Sequence, residues 1–164
     1  METGILEADL KGHKGPIYAL DWHRNNKLLS ASGDGSVRIW SSQRQFESSL
    51  QHPTYVYAAR FHPNACDTIA TAGYDQVVRI WQKSGFNQYI ILHELVNHKS
   101  FVNCLEFDID GQVLLSGDQE GAIRVWESRY GLVSNVYQLY SVTKVLKKIM
   151  PSGHVPTTKE KQKC

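Results

Sequence analysis

Three groups of side chains in this 164-residue chain combine an imidazole, a hydroxyl and a carboxylate, the types from which proton relays are built. They are His13, Ser30 and Asp34, then His52, Thr71 and Asp75, then His98, Ser116 and Glu120. Each group closes on a tryptophan, Trp40, Trp81 or Trp126, ten residues after the hydroxyl and six after the acid. In the third group Asp118 stands close to Glu120 as a competitor for the same role. One relay could activate a nucleophile, but three copies at fixed offsets describe a structural unit used three times. A buried indole N–H needs an acceptor, a hydroxyl accepts and donates at once, and an imidazole passes the chain on to a carboxylate. Closed in this way, the polar groups sit inside a sheet without an unsatisfied partner, and each break costs about 1–3 kcal/mol. The histidines lead their repeats one by one, and His23 and His62 read as loop residues at matching places, so no metal cluster is expected. No G-x-S-x-G, P-loop or H-E-x-x-H occurs. The expectation is a chain with no catalytic residues, no cofactor and no metal.

The elements that must hold these groups are short. Gly12 to Trp40 contains three apolar runs, Ile17 to Trp22, Leu28 to Ser32 and Val37 to Trp40, separated by turn chemistry at Asn25-Asn26 and Asp34-Gly35. Each run suits a strand and is too short for a helix. The Asp-Gly pair predicts a tight hairpin of type I′, with positive φ at both central residues. The same wording returns from His52 to Trp81 and from Asn97 to Trp126, so the tryptophans are spaced by 41 and 45 residues. Such a period belongs to four-stranded propeller blades. Gln45 to Leu50, Tyr89 to Val96 and Val136 to Tyr140 are the runs expected to supply the fourth strands. The reading is all-β, a partial β-propeller of about three four-stranded blades at 13–50, 52–96 and 98–141, with an outer edge strand over Ile5 to Leu10 within residues 1–12. Residues 142–164 read as a basic, disordered or irregular tail whose composition cannot build a core.

Charge separates the repeats from the tail. The net charge is +2, yet residues 1–128 carry 11 basic and 15 acidic side chains while residues 129–164 carry 7 basic and 1 acidic. An acidic repeat region argues against nucleic-acid binding. Lys144, Lys147, Lys148, Lys159, Lys161 and Lys163 are not interleaved with aromatics and read as solvated. No run approaches the ~20 apolar residues of a membrane span, and the start lacks the marks of a signal peptide. Three cysteines without C-x-x-C spacing fit reduced thiols. A cytoplasmic chain is the expectation.

The four-residue sets resemble the His-Ser/Thr-Asp-Trp tetrads of the WD40 repeat family. The match departs from the family pattern at Ser41, Gln82 and Glu127, where an Asp often follows the Trp, and Gly-His survives only at Gly12-His13. The resemblance implies a non-enzymatic platform for protein partners. It places the binding rim at the start of the innermost strands and at the hairpin turns, which here gives Tyr18, Tyr55, Tyr57, Tyr74 and Phe101. Tyrosine favours such sites because it buries area with few rotors and keeps a polar tip; the alternative is that these rings only pack on one another. The wording of the loops, His52-Pro53 before Tyr55-Val56-Tyr57, Phe61-His62-Pro63 and His98-Lys99-Ser100-Phe101, resembles the ciliary scaffolds of this family. That implies a role in primary cilium assembly at the basal body, centrosome or transition zone, with transition-zone or trafficking proteins as partners. The alternative is a generic adaptor: a ubiquitin-ligase substrate receptor, or a chromatin or signalling scaffold. Propellers close with typically 4–8 blades. Three leave two faces bare, so the expectation is a piece of a longer propeller, a truncated product, or a unit that pairs with other blades.

Overall fold

The computed structural model describes residues 4–129 and 132–138. Among the described residues are twelve strands and no helix: β1 (Ile17–Trp22), β2 (Leu28–Ser32), β3 (Ser36–Trp40), β4 (Phe46–Gln51), β5 (Val56–His62), β6 (Ala65–Gly73), β7 (Val77–Gly85), β8 (Gln88–Val96), β9 (Val102–Phe107), β10 (Val113–Asp118), β11 (Ile123–Arg129) and β12 (Leu132–Gln138). They pair in chain order as three four-stranded antiparallel sheets, β1 to β4, β5 to β8 and β9 to β12. The innermost strand β5 touches β1 on one side and β9 on the other. The arrangement is an open three-blade segment of a propeller.

Two apolar layers hold the blades together. Leu29, Ala31, Val37, Ile39 and Leu50 of the first blade pack on Val56, Ala59, Phe61, Ile69 and Trp81 of the second. Ala58, Ala70, Ala72, Val78, Ile80 and Leu95 of the second pack on Val102, Leu105, Leu114 and Trp126 of the third. The middle blade is therefore buried on both faces. Strand alternation sends Ile69 to one layer and Ala70 to the other. A register shift between Val56 and Ala58 lets β5 change which parity faces the first blade.

Three expectations are corrected. Residues 4–16 form no strand, although an edge strand was expected over Ile5 to Leu10. β4 already forms the outer edge of the first sheet, and no further sheet among the described residues offers a ladder to join. The segment runs beside Trp22, Leu28 and Trp40 instead, with Glu7 paired to Arg44. The fourth strand of the third blade begins at Leu132, four residues before the expected Val136, and runs to Gln138, while residues 139–140 and the tail at 142–164 lie outside the described residues. The Asp34-Gly35 hairpin is not type I′, because Gly35 alone has positive φ, at 80°. The same hairpin position carries positive φ in each blade, at Gly35, Gln76 (68°) and Gly121 (83°). Each closes by donating its N–H to the carbonyl three residues earlier, at Ser32, Gly73 and Asp118. That is the longer hairpin loop in which a type I turn is followed by one left-handed residue.

Candidate functional site

The polar sets sit on the face that each blade turns toward its predecessor, and they differ. In the first blade Trp40 Nε1 donates to Ser30 Oγ at 2.9 Å, His13 Nε2 lies 2.7 Å from the same oxygen, and His13 Nδ1 lies 2.8 Å from Asp34 Oδ2. All groups are satisfied if the hydroxyl proton points to Nε2 and Nδ1–H donates to the carboxylate. Burial pushes the Asp34 carboxyl up, but hydrogen bonds from Ser36, the Lys14 N–H and His13 outweigh it and hold it below the usual range.

The third blade closes a similar relay with a different acid. Trp126 Nε1 donates to Ser116 Oγ at 2.7 Å and His98 Nε2 stands 2.6 Å from it, but His98 Nδ1 meets Asp118 Oδ2 at 2.8 Å, not Glu120. Glu120 is exposed and contributes its backbone N–H, which donates to Asp118 Oδ1. The reason lies in the strand. Asp118 stands at the end of β10 where Ser32 and Gly73 stand in the other two blades, with the same register shift against the innermost strand in all three, so only the third blade offers a carboxylate at this inward-facing position. There its second oxygen also accepts the Ala122 N–H, and Arg124 Nη1 lies 3.3 Å from the first. Burial raises the Asp118 carboxyl, and these hydrogen bonds, led by His98, lower it further than burial raises it.

The second relay is interrupted. Trp81 Nε1 donates to Thr71 Oγ1 at 2.7 Å, but Arg79 takes the acid, donating to Asp75 Oδ2 at 2.6 Å and through Nε to Glu94 at 2.9 Å. The same guanidinium donates to His52 Nδ1 at 3.4 Å. His52 Nε2 is buried without a partner. Burial first, then the neighbouring Arg79 charge, pulls the His52 imidazole down to about 4 against the opposing pull of Asp75. Sequence reasoning missed Arg79 and Arg124 as members of these sets. The available signal was an arginine two residues before every tryptophan. Arg38, the first of them, stacks over Phe46 instead.

At the end of the blades where β1, β5 and β9 begin, the five rim residues come together as one run of rings. Tyr18 meets Tyr57 edge-on at 5.0 Å between centroids, Tyr57 meets Phe101 at 5.6 Å, Phe101 stacks on Tyr74 at 5.9 Å and 15°, and Tyr74 meets Tyr55 at 6.2 Å. Tyr18, Tyr55 and Tyr74 remain exposed while they pack. Burial, then the neighbouring tyrosines, raises the Tyr57 hydroxyl above its ordinary pKa. The scaffold beneath is a repeated backbone bond from the hairpin to the start of the innermost strand: Gly33 N–H to Pro16 O, Tyr74 N–H to Tyr55 O, and Gln119 N–H to Phe101 O. In the middle blade this approach needs Gly73, because a Cβ there runs into the Tyr55 carbonyl. Gly73→Ala is expected to cost about 1–3 kcal/mol, as overpacking against backbone does. Urea unfolding monitored by tryptophan fluorescence reads it.

The opposite end of the innermost strands holds a cleft of about 660 Å³ lined by Asp21, Arg24, Arg60, Glu106, Asp108 and Asp110 among others. Several of its charged groups have partners: Arg60 meets Glu106 at 3.2 Å, Asp21 accepts the Phe61 N–H, and Asp108 accepts the Val113 N–H. His23 bonds Asn25, and His62 lies 3.0 Å from the Gly111 carbonyl. Among the described residues no three His, Cys, Asp or Glu side chains gather where they could hold a metal, and no helix is long and apolar enough to cross a membrane.

Comparison with known families decides what these blades are. The family described as WD domain, G-beta repeat, matches residues 4–41, 44–82 and 90–127; each match ends one residue past a tryptophan and covers the three inner strands of one sheet, the second and third also taking in the outer strand of the sheet before. The chain belongs to the WD40 repeat family. It is similar to jouberin from Rattus norvegicus, 39% identical over 131 residues, and to jouberin from Mus musculus, 37% identical over the same length. These alignments take in 77% of this chain and 12% of jouberin. The human apoptotic protease-activating factor 1 is 30% identical over 124 residues, 74% of this chain and 10% of that protein. The chain thus spans about an eighth or less of the relatives named.

Proposed function

We propose that this chain is a non-enzymatic protein-docking platform whose contact surface is the aromatic run Tyr18, Tyr57, Phe101, Tyr74 and Tyr55, and that it serves primary cilium assembly at the basal body. The observation that carries the docking role is that rings from all three blades join at one end while three of them stay exposed. Exposed tyrosines on a rigid sheet scaffold suit protein contact, since little side-chain freedom is lost on binding. The relays beneath bind tryptophans in place and leave no activated nucleophile facing solvent. The ciliary setting is supported by the loop resemblance and by the similarity to jouberin over most of the chain.

The test is localisation together with affinity. A tagged chain is expected to concentrate at basal bodies of ciliated cells, and Tyr18→Ala/Tyr74→Ala is expected to lose that focus. These two rings are exposed, so the melting temperature should move by only a few degrees. For a partner recovered by proximity labelling and then purified, the double variant should weaken binding at least about 30-fold, the equivalent of one hot-spot residue. Nuclear or diffuse staining of the parent chain ends the ciliary reading in favour of a generic adaptor. Unchanged affinity in the double variant ends the rim assignment.

A further inference from the structure

Building on the docking surface assigned above, we propose that the aromatic run takes a proline-rich segment of its protein partner, held in the extended polyproline II conformation. Each mode of peptide recognition needs something particular from its receptor. Strand addition needs free backbone groups. Here the hairpin backbone is already bonded to the start of each innermost strand, through the Gly33, Tyr74 and Gln119 N–H groups. Capture of a charged motif needs a marked excess of one sign. At this end of the blades Asp75 and Glu94 share Arg79, and Asp118 meets Arg124. The exposed Lys14 and Lys99 are matched by Asp34, which is held ionised, and by the exposed Glu120. An amphipathic helix needs an apolar groove, and its own carbonyls are bonded within the helix. It would leave the polar tips of the rim without acceptors.

What the rim does offer is rings and hydroxyls. Burial, then Tyr18, Tyr74 and Tyr55 as neighbours, raises the Tyr57 hydroxyl, so four phenols share one neighbourhood. Among the described residues none of these four hydroxyls is tied into a hydrogen bond. Tyr18, Tyr55 and Tyr74 are each about half exposed, at 49%, 50% and 54%, and the rings touch one another at centroid distances of 5.0 to 6.2 Å. A polyproline II segment supplies the matching half. Its backbone makes no internal hydrogen bonds, so its carbonyls are open to phenol donors, and its apolar pyrrolidine rings pack on aromatic faces. Both sides are rigid before they meet. Packing fixes the tyrosine rings and the pyrrolidine fixes φ, so little conformational entropy is lost on contact.

Fluorescence anisotropy of a labelled decaproline peptide titrated with the full 164-residue chain tests this. Decaproline should bind, and added sodium chloride should change its affinity little, because no ion pair forms. A Gly-Ser peptide of the same length should not bind. Tyr18→Ala/Tyr74→Ala should weaken decaproline at least about 10-fold, as the loss of anchoring rings does. Tyr18→Phe/Tyr74→Phe keeps both rings in place and removes two donors, so it should weaken binding about 3-fold or more while circular dichroism and melting stay unchanged. Four results overturn the proposal: no binding of decaproline, equal binding of the Gly-Ser peptide, tighter binding of decaglutamate or decalysine, or an affinity unaltered in either variant. The docking surface itself is read separately, with the partner recovered by proximity labelling. If decaproline fails while Tyr18→Ala/Tyr74→Ala still weakens that partner, the surface stands and its ligand is of another class. If the partner's affinity is also unaltered, the surface falls with it.

Discussion

Asp118→Asn is expected to destabilise the third blade by about 3–5 kcal/mol, the cost of removing one partner from a buried ion pair. Glu120→Gln, two residues away, should stay within about 0.5 kcal/mol, as exposed substitutions do. The difference follows from what each carboxyl touches. Asp118 is buried and serves His98, Arg124 and two backbone N–H groups at once. An amide in its place keeps the size but replaces an acceptor oxygen by an NH2 group. Whichever way the amide turns, that group faces donors: His98 and Arg124 on one side, the Glu120 and Ala122 N–H groups on the other. A domain of this size carries a total stability of about 5–15 kcal/mol, so the loss is a large part of the whole. Urea midpoints with an unchanged slope are the measurement. Equal effects at the two positions would show that Glu120 shares the relay.

The difference between these two residues also shows what the sequence could reveal. Blade number, strand positions and hairpins follow from local patterns: apolar alternation, turn dipeptides and a tryptophan every forty-odd residues. Such patterns are written within a few residues of where they act. Asp118 instead occupies the strand-end position that Ser32 and Gly73 hold in the other blades, eight residues before the tryptophan, so a carboxylate sought only at the six-residue offset points to Glu120. At Arg79 the recurrence was visible but its direction was not. An arginine side chain can lie over a ring, as Arg38 does on Phe46, or enter a relay, as Arg79 does, and the surrounding side chains decide. Ile5 to Leu10 misled for a related reason. A strand-like pattern becomes a strand only where a neighbour supplies the ladder, and that neighbour is not local.

The rim was legible for a different cause. Its five residues lie at homologous places in their blades, so the repeat itself predicts that they share one end. Three of their four mutual contacts, such as the stack of Phe101 on Tyr74, cross from one blade to the next and appear only once the blades are assembled. The two readings of those rings, packing and docking, are therefore not exclusive. Packing fixes their orientation, and a fixed exposed ring loses little entropy when a partner covers it.

Acidification should weaken the fold chiefly through the interrupted middle relay. His52 is held neutral in the folded chain, with its pKa lowered from 6.5 to about 4. Between those values the unfolded chain binds a proton that the folded chain refuses, so stability rises with pH across the window. Read downward, the contribution is intact above pH 6.5 and is lost progressively toward pH 4. At about 1.4 kcal/mol per pKa unit the loss is on the order of 3 kcal/mol. His98 is also lowered, burial acting first, and the lowered carboxyls of Asp34 and Asp118 add to the loss below their ordinary range, all with the same sign. His52→Leu isolates the middle term. At neutral pH it removes an imidazole whose Nε2 has no partner, so it should cost under about 1 kcal/mol. His98→Leu, which strips a bonded imidazole from both Ser116 and Asp118, should cost several times more. Urea midpoints measured from neutral pH down to pH 4 should show a shallower loss for His52→Leu than for the parent chain. Parallel curves would mean that His52 titrates alike in both states, and that Arg79 has not displaced it from a relay.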